Sequence, residues 1–264
     1  MQFVRNTNYS TLNEAKMKEV QSLARGLQII EKLAQSDEGL SITKLAEEFQ
    51  VDKGNISRMM QTLESYGYAE REKDGRKYIL GSQVVRLGRM LLAKTPLRDT
   101  AKVFLKQLVE KTGECAHLAI LSQGQALYID QEESPSVLRV INGIGTLAPL
   151  HCTALGKIFL AYANEPIGPT LNSYTLRTIT DRAMLERHLD IVRSQGFAVD
   201  DEEYNSGVRC IAVPIFDYRG RCTAAIGISG PTSRLGLEQM QSVSQIVVEI
   251  GKSLSSKFSL VNNH

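Results

Sequence analysis

Residues 41–80, SITKLAEEFQVDKGNISRMMQTLESYGYAEREKDGRKYIL, decide the fold of the first part of this chain. Ser41 is a good N-cap, and Ile42, Leu45, Ala46 and Phe49 behind it fall on one face of a short helix. Only Gln50 and Val51 separate that helix from Asp52, which caps a second one with Ile56, Met60 and Leu63 as its apolar positions. Gly67 ends the second helix. The chain then runs extended through residues 68–71, turns at Asp74-Gly75 and returns through Arg76 to Leu80, the pattern of a β-hairpin. Gln50 stands where such helix pairs often carry glycine, so the left-handed residue of the turn is expected to be a glutamine. Helix, tight turn, helix and hairpin is the order of a winged helix-turn-helix.

Working outward, Ser22 reads as the N-cap of a preceding helix whose buried face holds Leu23, Leu27, Ile30 and Ala34. Residues 1–20 are polar, lack periodicity and are expected to form a flexible arm. On the other side, Val84, Leu87, Gly88 and Leu91 mark a helix stopped by Pro96. The expected organisation is a winged helix-turn-helix domain over 21–81, a linker helix over 82–95 and a second domain over 96–264. Within the second domain, helices are predicted at 97–111, 153–163, 182–194 and 235–256. Strands are predicted at 116–121, 126–130, 137–141, 197–202, 208–216 and 222–229. The fold class is α+β, with a mostly antiparallel sheet in the second domain.

Composition narrows the function. At 264 residues, with 42% hydrophobic and 23% charged residues, the chain reads as two ordinary globular domains. No apolar run approaches the roughly 18 residues of a membrane span, and no basic-then-apolar leader opens the chain, so a cytoplasmic protein without a membrane partner is expected. Cys115, Cys152, Cys210 and Cys222 form no CxxC pair and read as free thiols. Net charge is only +2, so attraction to nucleic acid must come from local clustering of basic groups.

That clustering is on the second helix of the pair and the hairpin. With Ile56, Met60 and Leu63 turned inward, Asn55, Ser57, Arg58, Gln61 and Thr62 point partly or wholly outward. Arg58 suits a bidentate contact to guanine and Asn55 one to adenine. Lys53, Gly54 and Ser57 at the helix start, and Lys73, Arg76 and Lys77 on the hairpin, suit phosphate contacts that position the protein without specifying sequence. Ser22, Arg25 and Ser41, at the starts of the two preceding helices, complete the DNA-facing set. An amphipathic helix alone would be read as a solvated surface. The basic hairpin directly behind it favours double-stranded promoter DNA as partner.

Three segments carry a family resemblance: SLARGLQIIEKLA with LSITKLAEEFQVDKGNISRMMQTLESYGY, PLHCTALGKIFLA at 149–161, and DDEEYNSGVRCIAVPIFDYRGRCTAAIGISGPTSRL at 200–235. In these the chain resembles the IclR-type transcription regulators, from about Ser22 to Leu260. The resemblance implies a C-terminal GAF-like domain that binds a small effector, and a ligand-responsive repressor acting as a homodimer or homotetramer. It further implies an effector site formed by Ala154, Leu155, Asp200, Cys210, Gly227 and Ser229, with Val140, Ala148 and Val208 as apolar wall. Helix N–H groups near Thr153 to Leu155, the Ser229 hydroxyl and Asp200 would suit a small hydroxy or oxo acid. The sequence departs from the family at Gly54-Asn55, where Ser-Thr is common, and at Gly227, where small-carboxylate binders carry serine. The second departure is expected to free volume for a larger or less polar effector.

Rival readings find little in the sequence. His151-Cys152 with Cys210 and Asp200 is the strongest enzyme-like or zinc-like set, but the adjacent pair is expected on opposite faces of a strand and no ligand spacing supports a closed metal site. No catalytic residue, metal or cofactor is therefore assigned. His117 reads as a strand-surface or core residue, His188 as a helix-surface residue, and the acidic run after Asp200 as a solvated face. A GAF-like sensor working through protein partners would leave the basic hairpin and the Asn55/Arg58 face without a role.

Overall fold

The computed structural model describes residues 19–73, 75–93 and 96–261. Most of the expected arm, and Asp74 of the hairpin turn, lie outside the described residues. The chain forms two compact units, divided between Ala93 and Lys94.

In the first unit, α1 (Gln21–Gln35), α2 (Ile42–Phe49) and α3 (Lys53–Ser65) precede a hairpin of β1 (Ala69–Arg71) and β2 (Tyr78–Leu80), and α4 (Gln83–Ala93) follows. Ser41 caps α2 by accepting from the Lys44 N–H, and Asp52 caps α3 by accepting from the Asn55 N–H at 2.9 Å. Gln50 takes the left-handed turn between them at φ 51°. Ile29, Leu33, Leu40, Leu45, Ile56, Met60 and Tyr78 make the core.

The start of α1 differs from expectation. The helix begins at Gln21 behind Val20, so Ser22 sits inside the first turn and cannot cap it. Its buried stripe is Ile29 and Leu33, while Leu23, Leu27 and Ala34 are exposed. The reason lies in the neighbours: α1 meets α3 and β2, and the residues it buries in their shared core, Ile29 and Leu33, belong to its second half. Leu87 and Leu91 of α4 are likewise exposed, rather than covered within their unit.

The second unit opens with α5 (Pro96–Thr112) and β3 (Cys115–Ser122), β4 (Gln125–Glu132) and β5 (Leu147–Ala148). It continues with α6 (Ala154–Tyr162), α7 (Arg182–Gln195), β6 (Ala198–Asp201), β7 (Val208–Phe216), β8 (Cys222–Pro231) and α8 (Met240–Val261). Among the described residues the strands form one antiparallel sheet in the order β5-β4-β3-β8-β7-β6. Helices α5 and α8 pack against β3 and β7 on one face, and α6 covers the other with α7 behind it.

The strand expected at 137–141 does not form. Arg234 Nη2 donates to the Leu138 carbonyl at 2.9 Å, taking an acceptor a ladder would need, and Val137 is fully in solvent. The edge strand is instead the short β5. His151 and Cys152 lie in the turn before α6, not on a strand, and both are buried.

Candidate effector cavity and DNA-binding surface

The alternation of β-strands puts every second residue on the α6 side of the sheet. Register then aligns them: Asp200 is opposite Cys210, Cys210 opposite Ser229, and His117 opposite Gly227. At this end of the sheet the first turn of α6 closes a small cavity, with about 20 Å³ open to the centres of water-sized molecules. Its wall brings together Val140, Ala154, Leu155, Asp200, Val208, Cys210, Gly227 and Ser229 of the expected set. Ala148 is not part of the wall. It pairs with Ala126 at the sheet edge and is buried in the adjoining apolar cluster.

The structure adds His117, Tyr128, Asn142, Thr153, Tyr204 and Asn205 to that wall. His117 Nε2 lies 2.6 Å from Ser229 Oγ, while its buried Nδ1 has no hydrogen-bond partner. Burial pushes the His117 pKa down to about 4, so the ring is neutral at neutral pH. One signal for it was present: a lone histidine in phase with the inward residues of an apolar strand.

Asp200 Oδ1 accepts from the backbone N–H of Glu203 at 2.8 Å and of Tyr204 at 3.4 Å. Burial outweighs these donors and the nearby Lys157, and raises the Asp200 pKa to about 7. The Cys210 and Cys152 thiols are pushed up by burial and by the Asp200 charge, so neither is a ready thiolate. Among the described residues no cluster of three His, Cys, Asp or Glu side chains is placed to hold a metal ion.

The N-terminus of α6 is fixed by its sequence. Thr153 Oγ1 accepts from the Gly156 N–H at 3.1 Å and donates to the Pro149 carbonyl at 2.6 Å. A Cβ at residue 156 would sit 2.4 Å from Leu150 Cα, so glycine is what lets the helix start against this turn. The leading N–H groups of a helix have no intrahelical partner, and those of α6 begin at the cavity wall.

Glycine at 227 does not do what was expected of it. A Cβ there would meet the Ile211 carbonyl oxygen at 2.3 Å and Ala212 Cα at 2.9 Å, so β7 already fills the space a side chain would use. Gly227 permits close strand approach and frees no volume for a larger effector.

Behind the wall, Lys157 is completely buried, with Nζ bonded to the Glu203 carboxylate, to the Val199 carbonyl at 2.8 Å and against His188 Nε2 at 3.3 Å. The acidic run is therefore no solvated face. Glu203 is buried in an ion pair, and Asp201 is bound by Arg209 and Arg177. His188 is half-buried rather than on the helix surface, and burial with Lys157 beside it lowers its pKa to about 4.

In the first unit, Lys53, Gly54, Arg58, Gln61 and Thr62 are exposed on α3, and Asn55 and Ser57 are half-buried. Asn55 Nδ2 bonds Asp52 Oδ2, and Arg58 Nη2 bonds Asn55 Oδ1, forming a ladder along one ridge. Lys73 and Arg76 are exposed on the hairpin. Lys77 Nζ donates to the Glu38 carbonyl at 3.0 Å, which places it beside Ser41 and the start of α2. Ser22 is exposed and Arg25 half-buried on the opening turns of α1.

Comparison with known proteins agrees with both units. The model of the IclR helix-turn-helix domain matches residues 22–73, and that of the C-terminal region of bacterial IclR transcriptional regulators matches residues 90–256. The chain is 33% identical over 243 residues to the HTH-type transcriptional regulator BhcR of Paracoccus denitrificans, covering 89% of this chain and 86% of that one. Identity to the Escherichia coli regulator KdgR is 32% over 244 residues, covering 90% and 92%. Among solved structures, the Thermotoga maritima IclR superposes with a TM-score of 0.73 at 29% identity, over 91% of this chain and 100% of that one. An IclR transcriptional regulator from Alicyclobacillus acidocaldarius gives 0.75 at 26% identity, over 91% and 99%. No helix among the described residues is long and apolar enough to cross a membrane. The chain belongs to the IclR family of transcription regulators, with a DNA-binding helix-turn-helix domain ahead of an effector-binding C-terminal domain.

Proposed function

We propose that this regulator is a repressor that holds promoter DNA through α3 and the hairpin, and responds to a small hydroxy- or oxo-carboxylic acid bound at the end of the sheet. One observation carries the effector reading: the α6 N-terminus, the Ser229 hydroxyl and the orphaned His117 Nδ1 belong to one buried cavity. An anionic oxygen suits the helix N-terminus, and a ligand hydroxyl or carbonyl suits the side chains. On the DNA side, Arg58 reads a guanine, while Lys53, Lys73, Arg76 and Lys77 contact phosphate. A homodimer, or a pair of dimers, sets two such helices on two half-sites, since one helix covers too few bases for useful specificity. Effector binding then changes occupancy only through its different affinity for DNA-competent and DNA-incompetent arrangements.

Thermal-shift screening against small hydroxy and oxo acids, followed by gel shift on the DNA upstream of the protein's own gene, tests both halves. The expected result is an acid that raises the melting temperature and releases the DNA. Asp200→Ala with Ser229→Ala should abolish the acid response and leave DNA affinity intact. An unchanged response would remove the cavity from the effector's path, and consumption of a screened acid would favour an enzyme.

A further inference from the structure

No lysine or arginine among the described residues lines the effector cavity; its ionisable groups are Asp200, His117, Tyr128, Tyr204 and Cys210. The cation nearest to hand, Lys157, is engaged by the Glu203 carboxylate, the Val199 carbonyl and His188. A carboxylate arriving at the α6 N-terminus thus enters a desolvated space that already contains a carboxyl group and offers no full countercharge. Two like charges sharing such a space cannot both persist, and the lowest-cost remedy is a proton between them. We propose that the cavity binds a carboxylate effector together with one proton, which resides on Asp200, so that Asp200 meets the ligand as a hydrogen-bond donor.

This rests on the carboxylate reading of the site and adds a condition to it. The placing of Asp200 supports it. Oδ1 already accepts from the Glu203 and Tyr204 N–H groups, and the Cys210 thiol also hydrogen-bonds this carboxyl, so Oδ2 is the oxygen placed to carry the proton and donate. Among the other groups that face Asp200, the histidine, the phenols and the thiols keep their protonation state through neutrality, whereas burial raises the Glu203 carboxyl as it does Asp200. His117 on β3 is held neutral by burial down to about pH 4. Burial raises Tyr128 on β4, Cys152 before α6, Tyr204 in the turn after β6 and Cys210 on β7, which keeps their protons on. Lys157 on α6 and Glu203 after β6 face it as an ion pair, with His188 of α7 behind them. Asp200 itself, raised to about 7 by burial, is the wall group poised to take up a proton when an anion arrives.

Isothermal titration of the full-length protein with lactate, pyruvate and the neutral analogue lactamide, from about pH 6 to about pH 9 and in buffers of different ionisation enthalpy, tests this. Lactate or pyruvate should bind with uptake of nearly one proton at alkaline pH, and Kd should rise about tenfold per pH unit above the Asp200 pKa. Lactamide affinity should be flat with pH. Asp200→Asn keeps an oxygen for the two backbone N–H groups and a donor for the ligand. It should bind the acids without proton uptake and, at alkaline pH, more tightly than the unaltered protein, which loss of a merely structural aspartate would not produce. A pH-independent Kd for the acids, or an Asp200→Asn protein that binds them more weakly at every pH, would overturn the proposal. So would proton uptake that survives Asp200→Asn and disappears in His117→Gln. If neither acid binds at any pH, the carboxylate reading fails beneath it, whatever lactamide does.

Discussion

On α3, Arg58 and Gln61 stand in water, whereas at the end of the sheet His117, Asp200 and Ser229 are each at most 2% exposed. Both regions present polar groups to a ligand, but the physical conditions are opposed. A charge on the helix surface is solvated, and its attraction to phosphate is long-ranged and weakened by salt. A charge in the cavity must be paired, hydrogen-bonded or neutralised. Changes in the second region should therefore register as stability and pH dependence, and changes in the first as DNA affinity and sequence preference with little effect on folding.

The largest effect should come from Lys157→Ala. Removing one partner of a buried ion pair leaves the other uncompensated, so Glu203 would be stranded and unfolding free energy should fall by about 3–5 kcal/mol in chemical denaturation. Combining Lys157→Met with Glu203→Leu should recover most of that loss, because an apolar pair of similar volume carries no desolvation cost. A single variant as stable as the parent would mean that the pair is not buried as described.

Next in size are the cavity's own titrating groups, which act in opposite directions. The Asp200 carboxyl binds its proton more tightly folded than unfolded. The native state therefore gains stability as pH falls from about 7 to about 4 and loses it as pH rises through that window. Asp200→Asn should stabilise the protein above neutrality by roughly 2–4 kcal/mol, with the difference vanishing in acid. His117 does the reverse. Its folded pKa of about 4 lies below the unfolded value of 6.5, so its contribution is present above pH 6.5 and lost as pH falls toward 4. His117→Gln should remove up to about 3 kcal/mol of that acid sensitivity. Melting curves of both variants across this range check the pair, and parallel pH profiles for variants and parent would break it.

The contrast between regions also explains what could be read in advance. The helix-turn-helix and its outward residues follow from local periodicity and caps, which need only neighbours in sequence: Ser41, Asp52 and the Ile56/Met60 stripe stand where spacing puts them. The depth of α1's burial was not local. Which face of a marginal amphipathic helix is covered depends on what meets it, and Leu23 and Leu27 are left more than half exposed. In the second unit the strands of β7 and β8 were legible, but the cavity depends on register between segments over a hundred residues apart in sequence, as with His117 and Ser229. Lys157 could have been suspected as the lone charge in ALGKIFLAY, since a helix apolar all round is buried and its lysine needs a partner. Gly227 could not. Whether a missing side chain leaves space or admits a neighbouring backbone is settled by the fold.

On the DNA side, effects are smaller and of another kind. Arg58→Ala should cost about 1–3 kcal/mol of discrimination at one base pair of a half-site selected from random DNA, with folding unchanged. Lys53→Ala should weaken binding to all sequences alike and lower the salt dependence by about one phosphate contact. Equal losses on specific and random DNA for Arg58→Ala would move it to the backbone-contact group.

The smallest effect belongs to Gln50, which joins the two kinds of argument. Its φ of 51° puts a side-chain-bearing residue in left-handed backbone, at a cost of about 1–2 kcal/mol relative to glycine. Gln50→Gly would relieve that cost and at the same time increase the freedom of the unfolded chain, which takes back about 0.4–1 kcal/mol. The balance is a net gain of about 0.8 kcal/mol, measurable as a small rise in the denaturation midpoint of the first unit. The Gln50 N–H donates to the Ala46 and Glu47 carbonyls through its backbone alone, so glycine keeps the same cap. Sequence preference on DNA should stay unchanged, because the α2–α3 angle is held by the core around Leu45, Ile56 and Met60 rather than by the turn. A loss of operator discrimination in Gln50→Gly would show that the turn itself sets the approach of α3. Surface and scaffold would then be coupled more closely in the first unit than the exposure of its reading face implies.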